Sequence, residues 1–304
     1  MTDPTFTILM PVVRPPDLMP FAIDSILRQT RGDFELFIIS DGAPAETVAA
    51  AETASKQDGR IRVFRFPKGE RLGEAHRHTA LAQARGRYVC QLGDDDLWLP
   101  EHLEQIASLL TEFEFGHLLH INMTADEHPF LALADLADPV VRAKMAAEVF
   151  NFFNPSAMGF RMESYRRLPV GWSPAPQGLP TDLFMWRKFL ALPGVSAGTR
   201  FVITSIHFPS DLRREWPMER RREEIARYSG INSSPAGRDR LCQQAWTGAA
   251  REHMARHEYM VALRNVVGDQ QTEIAAQVAA IRSSWSWRLT APLRGVARLV
   301  LGKD

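Results

Sequence analysis

Cysteine is scarce in this chain. Two residues in 304, Cys90 and Cys242, can close at most one bridge. That excludes a disulfide framework and fits a reducing, cytoplasmic setting. Long apolar runs are also missing, and no window approaches the roughly 18 uninterrupted apolar residues of a membrane-spanning helix. The opening segment MTDPTFTILMPVVRPP lacks the basic region and apolar core of a secretory signal. With 45% hydrophobic and 24% charged residues, the composition excludes a disordered chain, a collagen-like repeat and a rod. Net charge is zero, yet unevenly distributed. Residues 1–212 hold 20 basic and 26 acidic side chains, and residues 213–304 hold 16 and 10. A basic C-terminal third suggests contact with something acidic, such as phospholipid headgroups or nucleic acid, or simply neutralisation within one molecule.

What is present first is an alternation of short apolar runs and helix-like stretches. Phe6 to Met10 reads as a strand ended by Pro11, and Leu18 to Arg28 has helical spacing. Phe34 to Ile39 is a continuous apolar strand ended by Ser40-Asp41-Gly42. An Ala-rich helix (45–56), a strand (Ile61 to Phe66), a helix (Gly73 to Ala84) and a strand (Tyr88 to Leu92) follow. Strands alternating with helices predict an α/β fold, a mostly parallel sheet with helices on both faces. Such sheets bind ligands at the carboxyl ends of their strands.

Three of those ends carry chemistry: Pro11-Val12-Val13-Arg14, Ser40-Asp41-Gly42 and Gly93-Asp94-Asp95-Asp96. Consecutive carboxylates repel one another. At the end of a buried strand they call for a cation, and hard oxygen ligands suit Mg²⁺ or Mn²⁺. The competing reading is capping of the helix that follows, which needs one acid, or two, but not three.

The run Gly73-Glu74-Ala75-His76-Arg77-His78, then Ala84-Arg85-Gly86-Arg87-Tyr88, then Leu92-Gly93-Asp94-Asp95-Asp96-Leu97-Trp98-Leu99-Pro100, resembles family 2 glycosyltransferases. The turns at Pro11 to Arg14 and Ser40 to Gly42 resemble the same family, and the likeness covers residues 5 to about 210. It implies a GT-A fold and a nucleotide-diphosphate sugar as donor. There are departures: Gly93 stands where the family's first acid often sits, His78 replaces an Asn, and Ser40 replaces the first acid of the turn.

By that resemblance, Asp96 is the metal ligand, and Asp94 and Asp95 hold ribose, donor sugar or the ion's water shell. Asp41 would accept hydrogen bonds from the base or ribose, and Pro11, Val13 and Arg14 would wall the base pocket. Arg77 is either a diphosphate contact or a solvated helix residue. Segments 154–161 and 178–187 resemble the acceptor half. There Asp182 is placed as the base that takes the acceptor's proton, with helix capping as the alternative. His207, at the end of a late strand, is either a metal or diphosphate ligand or a structural histidine. His117, His120 and His128 have no assignment. Two other readings fit parts of the pattern: a nucleotidylyltransferase, for which a glycine-bearing phosphate loop after the first strand is lacking, and a catalytically inactive sugar-nucleotide binder.

The expected domains are a GT-A domain over 1–212 (1–98 for the nucleotide sugar, 99–212 for the acceptor) and a helical extension over 213–304. Within the extension, Arg213 to Tyr228 reads as a charged helix and Ser229 to Gly237 as a linker. Residues 238–282 read as one long helix, or two. Met260, Val267, Ile274 and Ile281 recur every seven residues, which suggests a short coiled coil and a homo-oligomer through 240–282, or a helix laid on the domain. In 283–304, Trp285 and Trp287 with Arg288, Arg294, Arg298 and Lys303 suggest a peripheral membrane contact, or a helix packed on the catalytic domain. The expected enzyme transfers a sugar with inversion to a polysaccharide or lipid-linked acceptor, and no nucleic-acid partner is expected.

Overall fold

The computed structural model describes residues 3–289 and Arg294. Its first part follows the predicted alternation: β1 (Phe6–Val12), α1 (Met19–Leu27), β2 (Phe34–Asp41), α2 (Ala45–Gln57), β3 (Ile61–Phe66), α3 (Glu74–Leu81) and β4 (Tyr88–Gln91). Alternate side chains of these strands serve opposite faces. Ile8 and Met10 of β1, with Leu36 and Ile38 of β2, pack with Met19, Ile23 and Ile26 of α1 and Ala51 of α2. Leu9, Phe37 and Ile39 pack on the other face with Ala80 and Leu81 of α3. Both faces are covered, which is why the strands read as unbroken apolar runs.

The remainder comprises β5 (Leu97–Trp98), α4 (His102–Glu112), β6 (Phe115–Met123), β7 (Pro129–Phe130), α5 (Pro139–Ala147), β8 (Met158–Arg161), α6 (Met162–Arg166), α7 (Thr181–Leu190) and β9 (Ala197–His207). The nine strands form one sheet in the order β3-β2-β1-β4-β8-β6-β9-β5, with β7 paired to β6. Parallel pairing joins β3, β2, β1 and β4, while β8 runs antiparallel to both β4 and β6. The chain builds β2 and β3 on one side of β1 and returns to place β4 on the other. That reversal opens a crevice at the carboxyl ends of β1 and β4, the usual ligand position in such sheets. On the far side, β5 pairs antiparallel with β9, Leu97 opposite Ile206, which sets Asp96 beside His207.

Three helices follow: α8 (Met218–Ser233), α9 (Pro235–Ser283) and α10 (Trp285–Leu289). The expected linker at 229–237 is not one. The helix α8 runs on to Ser233 and α9 starts at Pro235, so only Ser234 separates them. Gly237 is there for close approach, since a Cβ on it would lie 2.6 Å from the Ile231 carbonyl oxygen. The charged helix also begins later than Arg213, after Pro217. Residues 238–282 lie in one helix, not two. Ile225 and Tyr228 of α8 and Leu241, Ala245 and Ala249 of α9 pack with Leu119, Ile121, Ile206 and Phe208. The first compact unit accordingly extends to Ala249, and Ala250–Asp304 forms the second. In the second, Met260, Val267, Ile274 and Ile281 are all exposed. Trp285 is 80% exposed, and the Arg294 guanidinium lies 3.7 Å from the Trp287 ring centre. The expectations on Thr290 to Leu293 and on 295–304, including Arg298 and Lys303, lie outside the described residues. Among the described residues no helix is long and apolar enough to cross a membrane.

Candidate active site

The three loaded strand ends come together at the crevice. After β4, Asp94, Asp95 and Asp96 are all buried. Arg14, just past β1, turns its guanidinium onto two of them. Its Nη1 donates to Asp95 Oδ2 at 2.5 Å, and its Nε stands 3.4 Å from Asp94 Oδ2. Thr47 of α2 fixes that loop by donating to the Arg14 carbonyl at 2.7 Å. Pro11 lies within β1, and Val13 is exposed beside Arg14.

The three acids are electrostatically distinct. Burial lifts Asp94 to about 7, Arg14 pulling the other way and Asp95 adding to the lift. Burial also opposes the charge on Asp95, but Arg14, Ser210 and Arg221 outweigh it and hold that carboxyl below its ordinary value. Asp96 is engaged by three donor groups. It accepts from Ser156 Oγ at 2.5 Å, from the Phe208 N–H at 3.1 Å and from His207 Nδ1 at 2.9 Å. The Asp96 charge outweighs burial and raises the His207 pKa.

Asp41, at the end of β2, is fully buried and engaged. Lys68 Nζ donates to it at 2.5 Å, the Gly69 N–H at 2.6 Å, and His76 Nε2 stands 3.4 Å away. Gly73, at φ +67°, leaves room for it, because a Cβ there would meet Asp41 Cγ at 2.5 Å. Arg77 is buried, not solvated. Its Nη2 donates to the Leu72 carbonyl at 2.7 Å, its guanidinium lies 4.6 Å from the Trp172 ring centre, and its Nε has no hydrogen-bond partner. Burial brings its pKa down to about 10, against the pull of Glu74, Asp41 and Asp182.

Asp182 sits in the first turn of α7. Its Oδ1 accepts from the Leu183 N–H at 2.8 Å and its Oδ2 from Asn151 Nδ2 at 2.7 Å. Pro180, which precedes the helix, makes no side-chain cap, so the Leu183 N–H contact of Asp182 serves the first turn of α7. Burial raises the Asp182 pKa, partly offset by these donors and by His207. Neighbouring Thr181 is tied to buried Glu74 at 2.7 Å, which joins the first turns of α3 and α7.

Several participants escaped the sequence reading. Ser156 lies in segment 154–161 and has no assigned role there, yet it donates to Asp96 and accepts from the Gly93 N–H. Glu74, within the Gly73 to His78 run, likewise has none. Ser210 and Arg221 reach Asp95 from 115 and 126 residues away, and no local pattern announces them. His117 and His120 are buried and uncharged; His120 stacks edge-on to His207 with ring centres 6.0 Å apart.

As to a divalent ion, no group of three His, Cys, Asp or Glu side chains among the described residues converges as a ligand set. Asp96 and His207 do meet. Mg²⁺ is commonly held by one or two carboxylates, with the rest of its shell from phosphate oxygens and water, which Asp96 can supply once a diphosphate is present; His207 can join it only through a neutral ring nitrogen.

Comparison with known proteins decides the family. The profile of "Glycosyl transferase family 2" matches residues 7–166, more than half of the chain. The chain belongs to that family. Among curated relatives, the "Uncharacterized glycosyltransferase EpsJ" of Bacillus subtilis is 37% identical over 93 residues, 31% of this chain and 26% of that protein. Escherichia coli "UDP-Glc:alpha-D-GlcNAc-diphosphoundecaprenol beta-1,3-glucosyltransferase WfgD" is 28% identical over 138 residues, 43% of this chain and 53% of that protein. The chain thus spans about half or less of the length of these relatives. Among solved structures, S. aureus TarS 1–349 in complex with UDP-GlcNAc superposes with a TM-score of 0.54 at 14% identity, over 75% of this chain and 66% of that one. The fold is the GT-A fold of glycosyltransferases such as TarS.

Proposed function

We propose that this glycosyltransferase moves a sugar from a nucleotide-diphosphate donor to a saccharide or lipid-linked acceptor, in one inverting displacement. The observation that carries the reading is the cluster of Asp94, Asp95, Asp96, Arg14 and His207 at the switch-point crevice, with a half-buried carboxylate, Asp182, mounted on the first turn of α7. In the reaction, the acceptor oxygen attacks the anomeric carbon as its bond to the diphosphate breaks. Asp182 takes the hydroxyl proton, and the nucleoside diphosphate leaves. Its raised pKa makes Asp182 a stronger base than an ordinary carboxylate. This reading assigns one carboxylate to proton transfer and none to covalent attack, as a single inverting displacement requires. Asp41, with Pro11 and Val13, would hold the nucleoside, Asp94 and Asp95 the ribose or donor sugar, and Arg77 the diphosphate. Asp96 and His207 would hold Mg²⁺ or Mn²⁺, which when bound neutralises the leaving diphosphate.

The lipid-linked acceptor is supported by the relative named as acting on GlcNAc-diphosphoundecaprenol. Such acceptors suit a cytoplasmic enzyme that touches the membrane through 283–304. The exposed seven-residue stripe of α9 supports self-association through 240–282. A thermal-shift screen of UDP-, GDP- and dTDP-sugars with and without Mn²⁺ tests the donor reading. At 100 times its dissociation constant, the right donor adds about 2.7 kcal/mol, and no stabilisation by any of them would overturn it.

A further inference from the structure

The family match ends at residue 166, yet a residue far beyond it reaches the carboxylates. Arg221, on α8, donates from Nη2 to Asp95 Oδ2 at 2.8 Å. The same oxygen accepts from Arg14 Nη1 at 2.5 Å and from Ser210 Oγ at 2.8 Å. Two guanidiniums and a hydroxyl therefore crowd a single oxygen. The Arg221 side chain is only 13% exposed, and its Nε is buried without a hydrogen-bond partner. A buried donor left unpaired is destabilising and is best relieved by an acceptor. Three donors share this one acceptor, and a further N–H, that of Arg221 Nε, has none. Such an arrangement is short of an anion that offers several oxygens.

Arg221 is also held firmly. One turn on, Glu224 receives both Nε and Nη2 of buried Arg213, at 2.5 and 2.6 Å. Arg213 donates as well to the carbonyls of Met123 and Pro209, at 3.1 and 3.3 Å. This clamp ties α8 to the end of β6 and to the segment after β9, so Arg221 is presented from a rigid helix and not from a mobile loop.

We propose that Arg221 is a diphosphate-binding residue supplied by α8. Without donor it rests on Asp95. With donor it turns to the phosphate oxygens, which accept from its orphan Nε, and leaves Asp95 to Arg14 and Ser210. A guanidinium matches phosphate oxygens in a two-pronged way that an ammonium cannot. The proposal rests on the nucleotide-diphosphate reading of the site given above.

Titration calorimetry of the full chain with UDP, UMP, GDP and GMP, in Mn²⁺, tests it on wild type, R221Q, R221K and R222Q. Arg222 is exposed on the same helix and controls for net charge. R221Q is expected to weaken diphosphate binding about tenfold or more, since a charge-assisted hydrogen bond is worth about 1.5–3 kcal/mol. Monophosphate binding should change less than about threefold, R221K should fall between, and R222Q should match wild type. Diphosphate affinity within threefold of wild type in R221Q, or equal losses for mono- and diphosphate, would overturn the proposal. Should R221Q melt early, R221K decides alone: a loss confined to diphosphate supports the role, and an unchanged affinity overturns it. A wild type that binds neither diphosphate overturns the donor reading and this proposal together. Binding by wild type with unaltered R221Q overturns only Arg221.

Discussion

Replacing Glu224 by Gln should unfasten α8 at a calculable cost. The Arg213 and Glu224 side chains are 1% and 5% exposed, so their pairing is shielded from solvent. Gln keeps the shape and one acceptor but removes the charge that balances the buried guanidinium. Breaking a buried pair by removing one partner costs about 3–5 kcal/mol. Arg213 keeps the carbonyls of Met123, Thr124 and Pro209 as acceptors, which places the expected loss near the lower end, about 3 kcal/mol. In a unit the size of Met1–Ala249, each kcal/mol moves Tm by about 2–4 °C, so a drop of about 6–12 °C is expected. Urea unfolding followed by tryptophan fluorescence measures it. The double variant R213M/E224L, which replaces both charges by apolar groups, should recover to within about 1 kcal/mol of wild type. An E224Q protein within about 1 kcal/mol of wild type, or a double variant worse than the single, would refute the reasoning.

Gly73→Ala forces a Cβ toward Asp41 and puts Ala at positive φ, which alone costs about 1–2 kcal/mol; nucleoside diphosphate titration should show weaker binding, and unaltered affinity would count against Asp41. Asp182→Asn should preserve donor binding and lower transfer about 10²-fold or more, as product formation measures. Because a base must be deprotonated and burial raises the Asp182 pKa, the wild-type rate should fall on acidification at a pH above the ordinary carboxylate range. Buried His102, His117 and His120 are held uncharged, lowered by burial to about 3, 4 and 3. The unfolded chain binds protons there from about pH 6.5 downward, and the native state does not. These three alone would lower stability by about 3 kcal/mol between pH 6 and pH 5, and Asp94, which holds its proton in the native state over that range, offsets about 1 kcal/mol; urea titrations should show a net fall of about 2 kcal/mol, and H102Q should reduce it by about 1 kcal/mol.

The first half of the sheet was largely legible from the residues, for a physical reason. The strands β1, β2 and β4 are buried almost throughout and read as apolar runs, and each ends in residues whose chemistry is unsuited to a core. Asp94 to Asp96 stood out because three carboxylates have no place at a buried strand end without partners. The second half was harder to read. The strands β5, β7 and β8 are only 2–4 residues long, and β6 to β9 pair with register shifts that no local period encodes. The segment Ser229 to Gly237 looked like a linker because glycine and serine are shared signals. Here Gly237 serves a close helix contact instead. Arg221 and Ser210 were invisible for a different reason: their partner Asp95 lies more than a hundred residues earlier, and only the fold brings them together. Arg77 was left between a solvated and a functional role, and its burial decides against the first.

The central claim is that the Asp96 cluster binds a nucleotide-diphosphate donor through a divalent ion. Calorimetric titration of wild type and Asp96→Ala with the selected nucleotide sugar, with Mn²⁺ and with EDTA, tests it most directly. The account predicts tight binding only for wild type in Mn²⁺, with Asp96→Ala no better than wild type in EDTA. Binding that is equal in Mn²⁺ and EDTA, or an Asp96→Ala protein that keeps its Mn²⁺-dependent affinity, would contradict it.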